Sequence, residues 1–87
     1  MARPEIADSA LKRKYTKADI YHALNHVHLE YDVVDSDPPR TWVFGFTAAA
    51  HLIELIVLHK AKGDQVIHCM RARKDELDKA LRITRGR

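Results

Sequence analysis

The sequence has a single cysteine, Cys69, which rules out an internal disulfide and leaves no cysteine-rich framework for a structural metal. Set between Ile67 and Met70, it reads as a small buried hydrophobe and not as a reactive thiol. Long apolar runs are missing too. The longest, Leu52–Leu58, is interrupted by Glu54 and is too short to span a bilayer. No apolar segment near the N-terminus has the form of a secretory signal. The expectation is a soluble cytoplasmic protein with no membrane association. There is no internal repeat, no low-complexity tract and no break in composition that would mark a second domain. Nor is charge of one sign strongly in excess. The net charge of +3 suits a polyanionic partner without demanding one.

What is present is a globular balance, with 46% hydrophobic and 31% charged residues in a chain of 87. That length supports one domain over 1–87 with one small core. A core of that size leaves marginal stability, to which a tightly bound partner would add. Residues 83–87 read as a frayed basic tail.

Residues 1–26 read as two short helices. Pro4 suits a first helical turn, and Ile6, Ala10 and Leu11 give a narrow apolar stripe. Lys12, Arg13 and Lys14 follow, either as cations complementing a helix C-terminus or as a phosphate-facing patch. Thr16 and Asp19 have the spacing of a capping box and open a helix over Lys17–Asn25. His22 and His26 stand four apart, a spacing that can present two metal ligands on one face. No third ligand lies nearby, so neither a metal nor a cofactor is expected.

From Val27 the period changes to two. Val27, Leu29, Tyr31 and Val33 alternate with His28, Glu30 and Asp32, the pattern of a half-buried strand. Asp35–Arg40, with Pro38 and Pro39, is a loop. Trp42, Phe44 and Phe46 mark a second strand. His51–His59 is a third, with Ile53, Leu55 and Val57 on one face and Leu52, Ile56 and Leu58 on the other, as a central strand requires. Ala61–Asp64 is the next turn, Gln65–Arg71 the fourth strand, and Asp75–Arg82 a closing helix. The expected architecture is therefore α+β. Two N-terminal helices precede a four-stranded antiparallel sheet and a C-terminal helix, with the helices covering one face of the sheet.

The stretch Gln65–Lys74 carries the chemistry. It leaves the core with His68, Arg71, Arg73 and Lys74 close together. With Lys62-Gly63 at the centre of a four-residue turn, Glu54 would lie opposite Arg71, giving a buried carboxylate a cationic partner. His68 would then fall on the other face, opposite Val57. The alternative, slipped by one residue, places Glu54 beside Met70 and Ala72 and sends the arginines to the opposite face. The first register is the expected one, because it does not strand the acid. The cluster is then either a structural ion pair or an anion site with a carboxylate alongside. RNA cleavage at the 2′-hydroxyl needs a base, an acid and cations around the phosphoryl oxygens. His51, His68, Glu54, Lys74, Arg71 and Arg73 form an adequate inventory for it, with arginine's planar fork suited to phosphate.

Tyr15–Ala23, Phe44-Gly45, Leu52–Leu55 and Val66–Arg73, in this order of elements, resemble the BrnT-type toxins of bacterial toxin–antitoxin modules, and the shorter actinobacterial relatives in particular. The similarity covers most of residues 4–80, and the late motif Val66–Arg73 is its most specific part. The resemblance implies a RelE-like fold and a metal-independent endoribonuclease that blocks translation, acting on RNA that can be ribosome-bound mRNA. It also implies neutralisation by a cognate antitoxin protein. Carried over by position, it points to Arg73, His68 and Glu54. Such toxins often have Gly-Arg where this chain has Ala50-His51, and proline where it has Arg71. The expected assignment is Arg73 and Arg71 on phosphate, Glu54 or His51 in proton transfer, His68 as support or acid, and Lys12, Arg13, Lys14 and Lys74 as RNA contacts. The alternative is an inactive relative that serves as a protein- or nucleic-acid-binding module.

Overall fold

The computed structural model describes residues 3–33 and 35–86. Helix α1 (Lys17–Leu24) begins with the expected capping box: Thr16 N–H donates to Asp19 Oδ2 at 2.9 Å, and Asp19 N–H donates to Thr16 Oγ1 at 3.2 Å. Aspartate here does what glutamate or glutamine usually does, satisfying the N-cap amide. Among the described residues, the helix expected before it is absent. Glu5–Ile6 forms a short strand, β1, and Asp8–Leu11 a single 3-10 turn. A helix this short makes too few hydrogen bonds to offset the cost of nucleation. Lying along an open strand edge satisfies the same backbone groups. Accordingly Ala7 N–H donates to the Val66 carbonyl at 2.9 Å and Ser9 Oγ to the Ile67 carbonyl at 2.6 Å.

The antiparallel meander runs through β2 (Val27–Val33), β3 (Arg40–Phe46), β4 (Leu52–Lys60) and β5 (Gly63–Arg71). Parallel pairing of β1 with β5 makes it a five-stranded sheet of order β1-β5-β4-β3-β2, where four strands were expected. β4 is the central strand, as its two apolar faces indicated.

On the first face, Ile53, Leu55 and Val57 pack with Val43, Val66 and Cys69 beneath Ala10 of the 3-10 turn and Ile20 and Ala23 of α1. The approach is close at Gly45, where a Cβ would stand 2.2 Å from the Ala23 carbonyl oxygen. On the second face, Tyr31 and Phe44, flanked by Leu29, Trp42 and Leu52, pack against Leu77 and Ala80 of α2 (Lys74–Arg85). The helices therefore cover both faces of the sheet and not one. With α1 and the 3-10 turn already on the first face, the apolar stripe of α2 finds its partner on the second. α2 continues to Arg85 and takes in Ile83 and Thr84, which the sequence had assigned to the tail; Arg87 lies outside the described residues. Arg82 and Arg85 in its last turn complement the helix dipole.

The β4–β5 hairpin decides the site. Lys60 pairs with Gly63, so Ala61-Lys62 alone connect the strands, and Gly63 takes a φ of 126°. Pairing continues through Val57↔Val66, a bulge absorbs Ile67, and the ladder resumes with Ile56↔His68, Glu54↔Met70 and Ile53↔Arg71. The expected pairing of Glu54 with Arg71 is thus replaced by the slipped one. A tighter turn and one bulged residue together shift the register by one, and such a shift exchanges the two faces. His68 joins Glu54 on the second face, while Arg71 goes to the first.

Candidate functional site

Glu54 is the organising residue. It is fully buried, at 0% exposure, in the middle of the sheet. A carboxylate there is costly unless its oxygens are bonded. Oε1 accepts from the Arg73 backbone N–H at 2.9 Å and from Arg73 Nε at 3.2 Å. Oε2 accepts from Arg73 Nη2 at 2.8 Å and from His68 Nε2 at 3.0 Å. Four donors converge on two oxygens, which is the full capacity of an ionised carboxylate. The slipped register does not strand the acid, because Arg73 reaches it from beyond the end of β5.

Local structure explains that reach. Arg73 is the N-cap of α2 and has extended backbone angles, with no side-chain cap of its own. In a capping box, the acid three residues into the helix would bond the N-cap amide. Here Glu54 takes that amide from the neighbouring strand, tying the start of α2 to the centre of the sheet. Burial pushes the Glu54 carboxyl up, but the hydrogen bonds and charge of Arg73, with the bond from His68, outweigh it and hold it below its ordinary value. The same contact raises the Arg73 guanidinium further above its already high value.

The two donors differ from their acceptor in one respect. Arg73 and His68 side chains are 49% and 28% exposed. Arg73 uses Nε and Nη2 on Glu54, so its Nη1 edge is turned elsewhere. An ionised carboxylate only accepts, so His68 Nε2 carries the proton that it shares and Nδ1 is left for another partner. The Trp42 ring lies 5.9 Å from the imidazole, and Tyr31 stacks parallel to Trp42 at 6.4 Å. Burial, then the charges of Glu76 and Glu54, push the Tyr31 phenol up. Neither aromatic ring was among the site residues read from sequence. The period-two pattern placed Tyr31 and Trp42 on strands, but only the register shows that they share a face with His68.

The remaining expected residues gather elsewhere. Arg71 lines a recess of about 450 Å³ with Lys12, Arg13, Lys14, Tyr15 and Met70. His51 is exposed, its ring edge-on to Tyr15 at 6.4 Å. It follows a tight turn in which Ala50 has a φ of 65° and the His51 N–H donates to Thr47 Oγ1 at 3.1 Å. Lys74 is exposed at the first position of α2, next to Arg73. The structure thus brings together Glu54, His68 and Arg73, and separates from them Arg71, His51 and Lys12–Lys14. His22 and His26 stack at 4.0 Å, with each Nδ1 on a backbone carbonyl. Among the described residues, no group of three or more His, Cys, Asp or Glu is placed to hold a metal, and no helix is long and apolar enough to cross a membrane. Comparison with known protein families, with curated proteins and with solved structures finds no match to this chain.

Proposed function

We propose that this chain is an endoribonuclease of the BrnT-like, RelE-superfamily type, the toxin of a toxin–antitoxin module, acting without a metal in the cytoplasm. One observation carries the reading: a fully buried carboxylate holds an imidazole and a guanidinium side by side, each with an edge in solvent. In this scheme Glu54 is a positioning residue. All its lone pairs are engaged, so the proton-transfer role falls to His68 and not to Glu54 or His51. His68 Nδ1 takes the proton of a ribose 2′-hydroxyl, and the 2′-oxygen attacks the adjacent phosphorus. The 5′-oxygen leaves and takes a proton from water, and the product is a 2′,3′-cyclic phosphate. Arg73 meets the phosphoryl oxygens with its free edge, where charge develops.

Lys74 extends the cationic edge at the start of α2. Lys12, Arg13, Lys14 and Arg71, on the other face, hold a more distant part of the RNA backbone. The cognate antitoxin neutralises the toxin by covering this surface.

Inducing the chain alone in bacteria and following growth and RNA integrity tests the proposal. Arrest with RNA fragments ending in 2′,3′-cyclic phosphate is expected, and purified protein should cleave equally well in excess chelator. His68→Gln keeps a donor for Glu54 but supplies no base, so it should fold normally and lose cleavage. Undiminished cleavage by that variant would remove His68 from the mechanism. The second reading, an inactive binding module, is favoured by the separation of Arg71 and His51 from Arg73. Normal growth with intact RNA at high expression would select it.

A further inference from the structure

Beside the Glu54–His68–Arg73 cluster, the second face carries a groove of about 680 Å³ between the loop after β2 and the second half of α2. Its floor is Tyr31 and Trp42, and Lys79 and Ile83 of α2 form one wall. Asp35, Ser36, Asp37 and Arg40 stand around the mouth. Ser36 Oγ donates to the Pro38 carbonyl at 2.6 Å and accepts from Arg40 Nε at 2.7 Å. The guanidinium of Arg40 is therefore fixed at the rim, with its terminal nitrogens not used by that contact. Trp42 is shared between the two features: it floors the groove, and its ring lies 5.9 Å from His68.

We infer that this groove seats one nucleobase, that of the nucleotide adjoining the phosphate held at Arg73 and His68. The inference rests on the ribonuclease reading above and adds to it a base-binding subsite. The volume lies within the range of small-ligand pockets, about 300–1,000 Å³. Every base has a π-face, and an indole in a groove next to a cationic edge is the usual platform for single-stranded nucleic acid. Charge divides the labour. The carboxylates of Asp35 and Asp37 repel a phosphate but accept from the ring and amino N–H groups of a base, while Arg40 can donate to base carbonyl or ring-nitrogen acceptors. The sugar-phosphate then lies toward Arg73, whose side chain is half exposed beside His68. Arg40 and Lys79 disfavour an arginine side chain of a partner protein, the other occupant that an aromatic floor with acidic neighbours can take.

Trp42 is the only tryptophan, so its fluorescence reports the groove directly. The full chain is titrated with a short 2′-fluoro oligonucleotide, which lacks the attacking hydroxyl, with an abasic oligomer of equal length, and with an arginine-rich peptide. Quenching by the oligonucleotide and not by the abasic oligomer is expected. In a polarisation assay with labelled oligonucleotide, Trp42→Leu should weaken binding about tenfold, and Trp42→Phe, which keeps a stacking face, should hold it within about threefold of the parent. Equal quenching by the abasic oligomer, absence of oligonucleotide binding, unchanged affinity of Trp42→Leu, or a response to the peptide alone each overturns the base seat. Cleavage assayed in parallel keeps the two ideas apart. Cleavage without base-dependent quenching defeats the subsite and leaves the nuclease, whereas base-dependent quenching without cleavage defeats the nuclease and leaves the subsite.

Discussion

Arg73 holds Glu54 twice over, with its own backbone N–H at 2.9 Å and with two guanidinium nitrogens at 3.2 and 2.8 Å. Arg71, two positions earlier, is exposed on the other face and takes no part. The two arginines should therefore differ sharply in stability scans. Arg73→Ala leaves Glu54 buried with only the backbone amide and His68, and should cost about 2–3 kcal/mol. That is below the full figure for breaking a buried pair, because half the guanidinium is already in water. Arg71→Ala should stay within about 0.5 kcal/mol of the parent. Urea denaturation of the two variants decides it, and equal losses would mean that the β4–β5 register is wrong.

The carboxylate itself should shape the acid limb of the stability curve. Its pKa in the folded chain is held below the ordinary 4.5. Between those two values the unfolded chain binds the proton and the folded chain does not, so stability rises with pH there. The contribution is complete above the ordinary carboxyl value and is lost as pH falls through the folded value. Glu54→Gln turns an amide N–H₂ toward existing donors and should cost about 1–3 kcal/mol at neutral pH. Its urea midpoint should also be flatter than the parent's over the acid window. Parallel curves for parent and variant would deny Glu54 this role.

How much of this was legible beforehand follows from what each element depends on. The meander, the capping box at Thr16 and the central place of β4 rest on local periodicity and local caps, and those are written in the residues themselves. The stripe Ile6–Ala10 suits a helix but is equally satisfied by lying along the edge of β5, a partner sixty residues away, and the strand forms instead. The site was half legible. Glu54, His68 and Arg73 were named, but their relation turns on a bulge at Ile67 that no periodicity signals. The same one-residue difference hid Tyr31 and Trp42. The faces to which α1 and α2 go depend on packing order and not on the pattern of either helix.

Ala50 is the position where a small change should improve the fold. At φ 65° it sits in the left-handed region with a Cβ that glycine would lack. That conformation costs an L-residue about 1–2 kcal/mol. Glycine brings a larger entropy loss on folding, of roughly 0.5–1 kcal/mol. Ala50→Gly should therefore stabilise the chain by about 0.5–1 kcal/mol, contrary to the usual effect of that substitution. Calorimetric melting measures it, and a lower melting temperature would show that the turn before β4 can relax out of the left-handed region.

Cys69 offers a readout of the whole sheet. It is 3% exposed in the core beneath α1. Burial, reinforced by the charges of Asp19 and Glu54, pushes its thiol up to about 12. At mildly alkaline pH the folded chain therefore presents almost no thiolate, and a disulfide reagent should find none to attack. Modification should proceed only through opening of β5, at a rate that rises with urea in parallel with unfolding. Variants that loosen the Glu54–Arg73 contact should accelerate it, because that contact ties the end of β5 and the start of α2 to β4 and holds the strand in register. Rapid labelling of the native chain, independent of urea, would place Cys69 at the surface and with it reverse the facing of every residue from His68 to Arg71.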